Sequence, residues 1–160
     1  MKDTAIEFRQ VSKKFKGAGK PAVSDVSLTI REGEFITILG SSGCGKTTLL
    51  KMVNRLYEPD SGEILLFGKP IAKENPMELR RKIGYVPQKA LLFKGTIMEN
   101  IRFGDDSASD ERVKEAAAIA QSTDFIEDKP DGFDSSISQG GSNVSGGQRQ
   151  RLAIARAIVR

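Results

Sequence analysis

Nine consecutive residues, Gly40-Ser41-Ser42-Gly43-Cys44-Gly45-Lys46-Thr47-Thr48, carry the most chemistry in this chain. They fit G-x-x-x-x-G-K-[ST], in which glycines let backbone N–H groups turn toward an anion. The Lys46 ammonium is placed to reach β- and γ-phosphates. The Thr47 hydroxyl is placed to ligate Mg²⁺, and Thr48 to hydrogen-bond an α-phosphate. Two elements must position this loop. The run Glu34-Phe35-Ile36-Thr37-Ile38-Leu39 is short, apolar and β-rich, so it predicts a strand. The run Leu49-Leu50-Lys51-Met52-Val53-Asn54-Arg55-Leu56 has apolar residues at helical spacing. Strand, glycine loop and helix start make a phosphate cradle, and the helix dipole adds positive potential. The plainer alternative is a glycine-rich turn between two elements, and having both flanks in place argues against it.

A second helix start is written at Val144-Ser145-Gly146-Gly147-Gln148-Arg149-Gln150-Arg151. Ser145 and Gln148 have capping-box spacing, S-x-x-Q. Residues 149–160 then mix Arg with Leu, Ile and Ala at helical spacing. A helix N-terminus with little side-chain cover can bind an anion, although an ordinary capped helix explains the same residues.

The two motifs together resemble the ATP-binding cassette family, the nucleotide-binding domains of ABC transporters. Residues 144–148 look like the family's Leu-Ser-Gly-Gly-Gln signature with Val for Leu, and Arg149-Gln150-Arg151-Leu152-Ala153-Ile154-Ala155-Arg156-Ala157 is similar to the family's signature helix. The resemblance runs from about Ile6 to Arg160. It implies an α/β P-loop NTPase of ABC type, with a β-rich N-terminal part, a helical subdomain and an incomplete sheet. The expected division is residues 1–88 as the ATP-binding core, 89–145 as the helical subdomain and 146–160 as the signature helix.

The same resemblance assigns roles. Gly40, Ser41, Ser42, Gly43, Cys44, Gly45, Lys46, Thr47 and Thr48 would hold ATP, with Mg²⁺ on Thr47 and on Gln88. Phe15 aligns with the aromatic residue that stacks on adenine, against the alternative of a strand-end core aromatic. Gln88, after Tyr85-Val86-Pro87, looks like the Q-loop glutamine, and Lys46 and Gln88 would be the catalytic groups. Ser145, Gly146, Gly147 and Gln148 would meet the γ-phosphate of ATP held by a second nucleotide-binding domain, head to tail. Separate transmembrane subunits are the other implied partner. Cys44 is a filler of the cradle, without a catalytic role, whose accessible thiol bound nucleotide should shield. Gln139 stands where exporter-type relatives often carry Glu, which puts a transmembrane contact there in doubt.

By the same resemblance, the Walker B strand with its Asp and Glu would fall beyond Arg160, and with no His in the chain the switch histidine is missing. A truncated chain is the expectation, with nucleotide binding kept and hydrolysis slow or absent, since phosphoryl transfer depends on positioning water and neutralising charge. The edges of strand 35–39 would then be bare. Residues 6–86 look like an osmoprotectant importer ATPase. From Pro87 onward, including Gly95-Thr96-Ile97-Met98-Glu99-Asn100-Ile101, the chain looks like a multidrug-type exporter, as a chimera would. The functional expectation is Mg-ATP binding that drives transport. The alternative is a nucleotide-binding module without turnover, and a small nucleotide kinase is a weaker option that residues 145–148 oppose.

Composition agrees. At 160 residues, 38% hydrophobic and 29% charged, the chain suits one globular domain. No apolar run nears the ~18 residues of a membrane span, and no signal peptide is recognisable. One cysteine predicts a cytoplasmic setting, peripheral to the membrane if assembled in a transporter. The net charge of +4 is spread out, so no nucleic-acid partner is expected. Strands are expected over residues 6–11, 23–30, 62–67 and 83–86, and helices over 76–82, 97–103 and 109–121.

Overall fold

A computed structural model describes residues 3–160. The chain forms two compact units, one ending at Ile83 and the other spanning Gly84–Arg160.

The first unit is built on a four-stranded sheet of order β2-β1-β3-β4. Strand β1 (Thr4–Lys13) pairs antiparallel with β2 (Val23–Arg31) and with β3 (Ser61–Leu66), and β3 pairs with β4 (Lys69–Pro70). Phe67 (φ 48°) and Gly68 (φ 74°) turn β3 into β4, the two left-handed residues that a tight hairpin needs. Helix α1 (Lys46–Val53) covers the sheet. Its Leu49, Met52 and Val53 join Phe8, Val11, Val23, Ile64 and Leu66 in one core. These helix residues are spaced three and four apart, so one apolar stripe faces the strands. Helix α2 (Pro76–Arg81) starts at Pro76, and the Asn75 side chain accepts from Met77 N and Glu78 N. Its Leu79 completes the core.

The second unit is mainly helical, with α3 (Ile97–Arg102), α4 (Asp110–Ile119), α5 (Thr123–Glu127) and α6 (Gly146–Ile158). A two-residue pair of β5 (Gly95–Thr96) and β6 (Ser136–Ile137) closes it. Helix α6 is central, since Leu152, Ala155 and Val159 pack with Ile97, Ile101, Val113 and Ala116 of α3 and α4. Gly104 lets α3 end against α6, for a Cβ there would run into the Arg156 carbonyl and come within 2.7 Å of Val159.

Two expected strands do not form. Residues 34–40 are irregular and join no strand ladder among the described residues, with Phe35 93% and Leu39 85% exposed. Residues 83–86 are likewise irregular and only partly covered. An apolar β-rich run has strand propensity, but only a neighbouring strand makes a ladder, and β2 and β4 end the sheet without reaching either run. The sheet is incomplete, and the segment leading into the glycine loop is the bare part.

Candidate functional site

Helix α1 begins at Lys46 with Gly45 as its N-cap, and Gly45 adopts φ 93°. No side chain caps this end and no acidic residue lies in its first turn. The first-turn N–H groups are left to a ligand, and the dipole there favours an anion. Gly43 also has positive φ, at 82°. At Gly45 a Cβ would collide with the carbonyl oxygen of Ala22, so the loop lies directly on the backbone that leads into β2.

Lys46 folds back across the loop. Its ammonium donates to Gly40 O and Ser41 O, both at 2.7 Å, and lies 3.4 Å from Cys44 Sγ. Two backbone carbonyls and a thiol are weak substitutes for phosphate oxygens, so an incoming polyphosphate competes on favourable terms. Thr47 is exposed and Thr48 half-buried, with Ser41, Ser42 and Cys44 exposed around them. The donor set therefore fits a triphosphate: the uncapped first-turn N–H groups of α1, the Lys46 ammonium and an exposed threonine hydroxyl that can serve a hard cation. A cavity of about 490 Å³ opens beside the loop, between Val23, Val26 and Leu28 of β2 and Ile38 and Leu39 of the bare segment.

Phe15 lies just past β1, 36% exposed. Its ring meets Tyr57 edge to face at 5.1 Å between centroids, with Lys13 Nζ 5.9 Å from the Phe15 centroid. Asp60 ties the same arm down, because Lys13 Nζ donates to Oδ1 and Lys14 N to Oδ2, each at 2.7 Å. Those two bonds, the Lys13 one foremost, hold the Asp60 carboxyl below the usual carboxylate range. Sequence reading finds Phe15 but not Tyr57 or Asp60, whose partners lie far along the chain.

The other expected site residues belong to the second unit. Gln88 is exposed in the irregular stretch after Pro87. Ser145 caps α6: its hydroxyl accepts from Gln148 N at 3.2 Å, and Gln148 Oε1 accepts from Ser145 N at 2.9 Å. Both arms of the capping box are made, and Gly146 and Gly147 are exposed in the first turn. Gln139 is exposed, and its side-chain oxygen accepts from Lys94 N at 3.3 Å.

An unforeseen polar cluster holds the segment after Gln88. Arg156 of α6 donates to Leu91 O, Asn100 O and Asn100 Oδ1, at 2.8–2.9 Å. Its guanidinium also stacks near Phe93 and Phe103, at 5.0 and 5.7 Å. Burial lowers its pKa from the ordinary value, and it remains a cation. Buried Asn100 bonds in turn to both backbone groups of Phe93. Helix α3 beside it carries a second complete capping box, Thr96 with Glu99. The T-x-x-E spacing would have revealed that cap; nothing local reveals the Arg156–Asn100 contact.

Loop, lysine and bare helix start define a phosphate-binding P-loop protein. Residues 23–160 match the family model described as ABC transporter. The chain belongs to the ABC transporter family, as an ATP-binding domain of ABC-type ATPases. It is 46% identical over 155 residues to the uncharacterized ABC transporter ATP-binding protein YfiB of Bacillus subtilis (strain 168), an alignment covering 97% of this chain and 27% of YfiB. It is 44% identical to the beta-(1→2)glucan export ATP-binding/permease protein NdvA of Agrobacterium fabrum (strain C58 / ATCC 33970), with 97% and 26% covered. Among solved structures, a bacterial Atm1-family ABC exporter with ATP bound superposes with a TM-score of 0.91 and 36% identity, over 98% of this chain and 28% of that one. The chain thus spans about a quarter of the length of these relatives. NdvA and the Atm1-family protein are exporters by name and align along both halves, so the importer-like character expected for residues 6–86 does not set this chain apart from exporters.

Proposed function

We propose that this chain is the nucleotide-binding domain of an exporter-type ABC protein and binds Mg-ATP through residues 41–48. The observation that carries the proposal is the α1 N-terminus, uncapped by any side chain, with Lys46 parked on loop carbonyls that a phosphate can replace. ATP would supply the phosphoryl group, and Mg²⁺, for which Thr47 and Gln88 are the proposed protein ligands, would shield its charge. Lys46 neutralises and orients the outer phosphates, Thr48 holds the inner one, and Phe15 carries the adenine. Residues 1–88 do the binding, 89–145 form the helical subdomain, and the start of the signature helix 146–160, with its cap Ser145, presents Ser145, Gly146, Gly147 and Gln148 to nucleotide on a second domain.

Exporter-type transport is the broader role, with the domain on the cytoplasmic face of a membrane. Among the described residues no helix is long and apolar enough to cross one. NdvA unites ATP-binding and permease in its name, which favours a transmembrane part fused to this domain over separate subunits. Hydrolysis is a separate step that also needs a carboxylate to orient water, and a module that binds without turnover is the second reading.

The test is titration of the 160-residue chain with a fluorescent ATP analogue, with and without Mg²⁺, alongside phosphate release. Saturable binding strengthened by Mg²⁺ and lost in Lys46→Ala is expected. Phosphate release that vanishes in the same variant supports turnover by this chain, and binding without release supports the module. No binding at millimolar Mg-ATP by folded protein refutes the proposal.

A further inference from the structure

We propose that Tyr57, assisted by Asp60, is a positioning residue for the nucleotide base: it holds the Phe15 ring ready to receive adenine. The inference rests on the reading of Phe15 as the base-stacking residue.

Phe15 sits in the irregular stretch between β1 and β2, where no ladder fixes its side chain. A ring free to change rotamer must be immobilised when a base lands on it, and that lost freedom subtracts from affinity. The structure restrains it beforehand. Tyr57 meets Phe15 at 5.1 Å with an interplanar angle of 78°, the edge-to-face arrangement that the ring quadrupoles favour. Asp60, three residues on, holds the backbone and side chain of the two residues before Phe15. Asp60 N also donates to Ser12 O at 2.9 Å, so the arm is gripped along its length.

Tyr57 is itself anchored to the helix that starts at the phosphate loop. Tyr57 N donates to Lys51 O at 3.4 Å, and Lys51 Nζ lies 5.2 Å from the Tyr57 ring centroid. Lys51 belongs to α1, whose first residue is Lys46. A continuous line of contacts, α1 to Tyr57 to Phe15, therefore sets the base-stacking ring against the same helix whose other end receives the phosphates. The half-buried Tyr57 also packs against the core of the first unit, which makes it a rigid stop.

The test compares Mg-ATP with Mg-tripolyphosphate, which has the phosphates but no base, on the 160-residue chain. Tyr57→Ala and Phe15→Ala are each expected to weaken ATP binding by about 2- to 10-fold, the range of one aromatic pair contact, and to leave tripolyphosphate unchanged. The double variant should lose no more than the worse single one, since both remove one stacking platform. Tyr57→Phe keeps the ring edge and should bind as the parent does. Asp60→Asn should lose a smaller factor, for ATP only. A Tyr57→Ala chain that loses both ligands equally, or neither, overturns the inference while Phe15→Ala still selects against ATP. If Phe15→Ala binds ATP normally, the base-stacking reading falls and the inference with it. Should Tyr57→Ala fail to fold, Tyr57→Leu fills the core without a ring and is read by the same criteria.

Discussion

Two glycines of the phosphate loop make a matched pair. Gly43 (φ 82°) has open space where a Cβ would go, whereas at Gly45 (φ 93°) the Cβ would meet the Ala22 carbonyl oxygen and come within 3.3 Å of Val23 Cγ2. Gly43→Ala therefore costs only the left-handed backbone, about 1–2 kcal/mol, less a few tenths returned by a stiffer unfolded chain. Gly45→Ala carries the same cost and a steric one. The obstructing carbonyl cannot simply retreat, for Ala22 N donates to Lys13 O at 2.8 Å and the next residue, Val23, pairs with Lys13 across the sheet. Relief means overpacking, about 1–3 kcal/mol, or a broken hydrogen bond, about 1 kcal/mol. The sum is about 2–5 kcal/mol for Gly45→Ala against about 1–2 kcal/mol for Gly43→Ala. Urea unfolding followed by far-ultraviolet circular dichroism measures both, with the slope checked for constancy. Equal losses, or a larger loss at Gly43, would refute the close approach of loop to β2.

Three more outcomes are expected. Arg156→Lys cannot serve Leu91 O and both Asn100 oxygens at once, so stability should fall by about 2–4 kcal/mol in urea unfolding, and an unchanged midpoint would contradict the contact. The depressed Asp60 carboxyl stabilises the fold above its unfolded value near pH 3.9, and that contribution is lost as pH falls through the lower folded value. Asp60→Asn should thus flatten the acid limb of a pH titration of folding below about pH 4, and an unaltered limb would overturn the assignment. Phe35 and Leu39 are exposed apolar side chains on an unpaired segment, so light scattering should show concentration-dependent association that Phe35→Lys with Leu39→Lys suppresses, and identical scattering by the double variant counts against it.

The features legible in the sequence are local. The glycine loop, the helix after it, the cap at Ser145–Gln148 and strands β1, β2 and β3 each declare themselves within a few residues, because turns, caps and apolar periodicity are short-range physics. Residues 34–39 and 83–86 carry the same apolar signal as real strands yet stay unpaired, since pairing depends on a neighbour that no local pattern reports. Helix α1 starts three residues before the expected apolar run because Gly45 turns the chain there and leaves Lys46 helical. The Phe15–Tyr57 and Arg156–Asn100 contacts are invisible in the sequence for a third reason: each joins residues of ordinary type whose proximity exists only once the chain has folded.

The two glycine-bearing helix starts are finished in opposite ways. At α1 the end is a socket, held open by one movable lysine; at α6 Ser145 and Gln148 have already stoppered it. Anions should load in order, filling the α1 end at low concentration and leaving the α6 end empty until something rigidly delivered displaces the Gln148 amide. On the proposed reading, a domain arranged this way would take up its own nucleotide alone and engage another's only when a second body presses it into place.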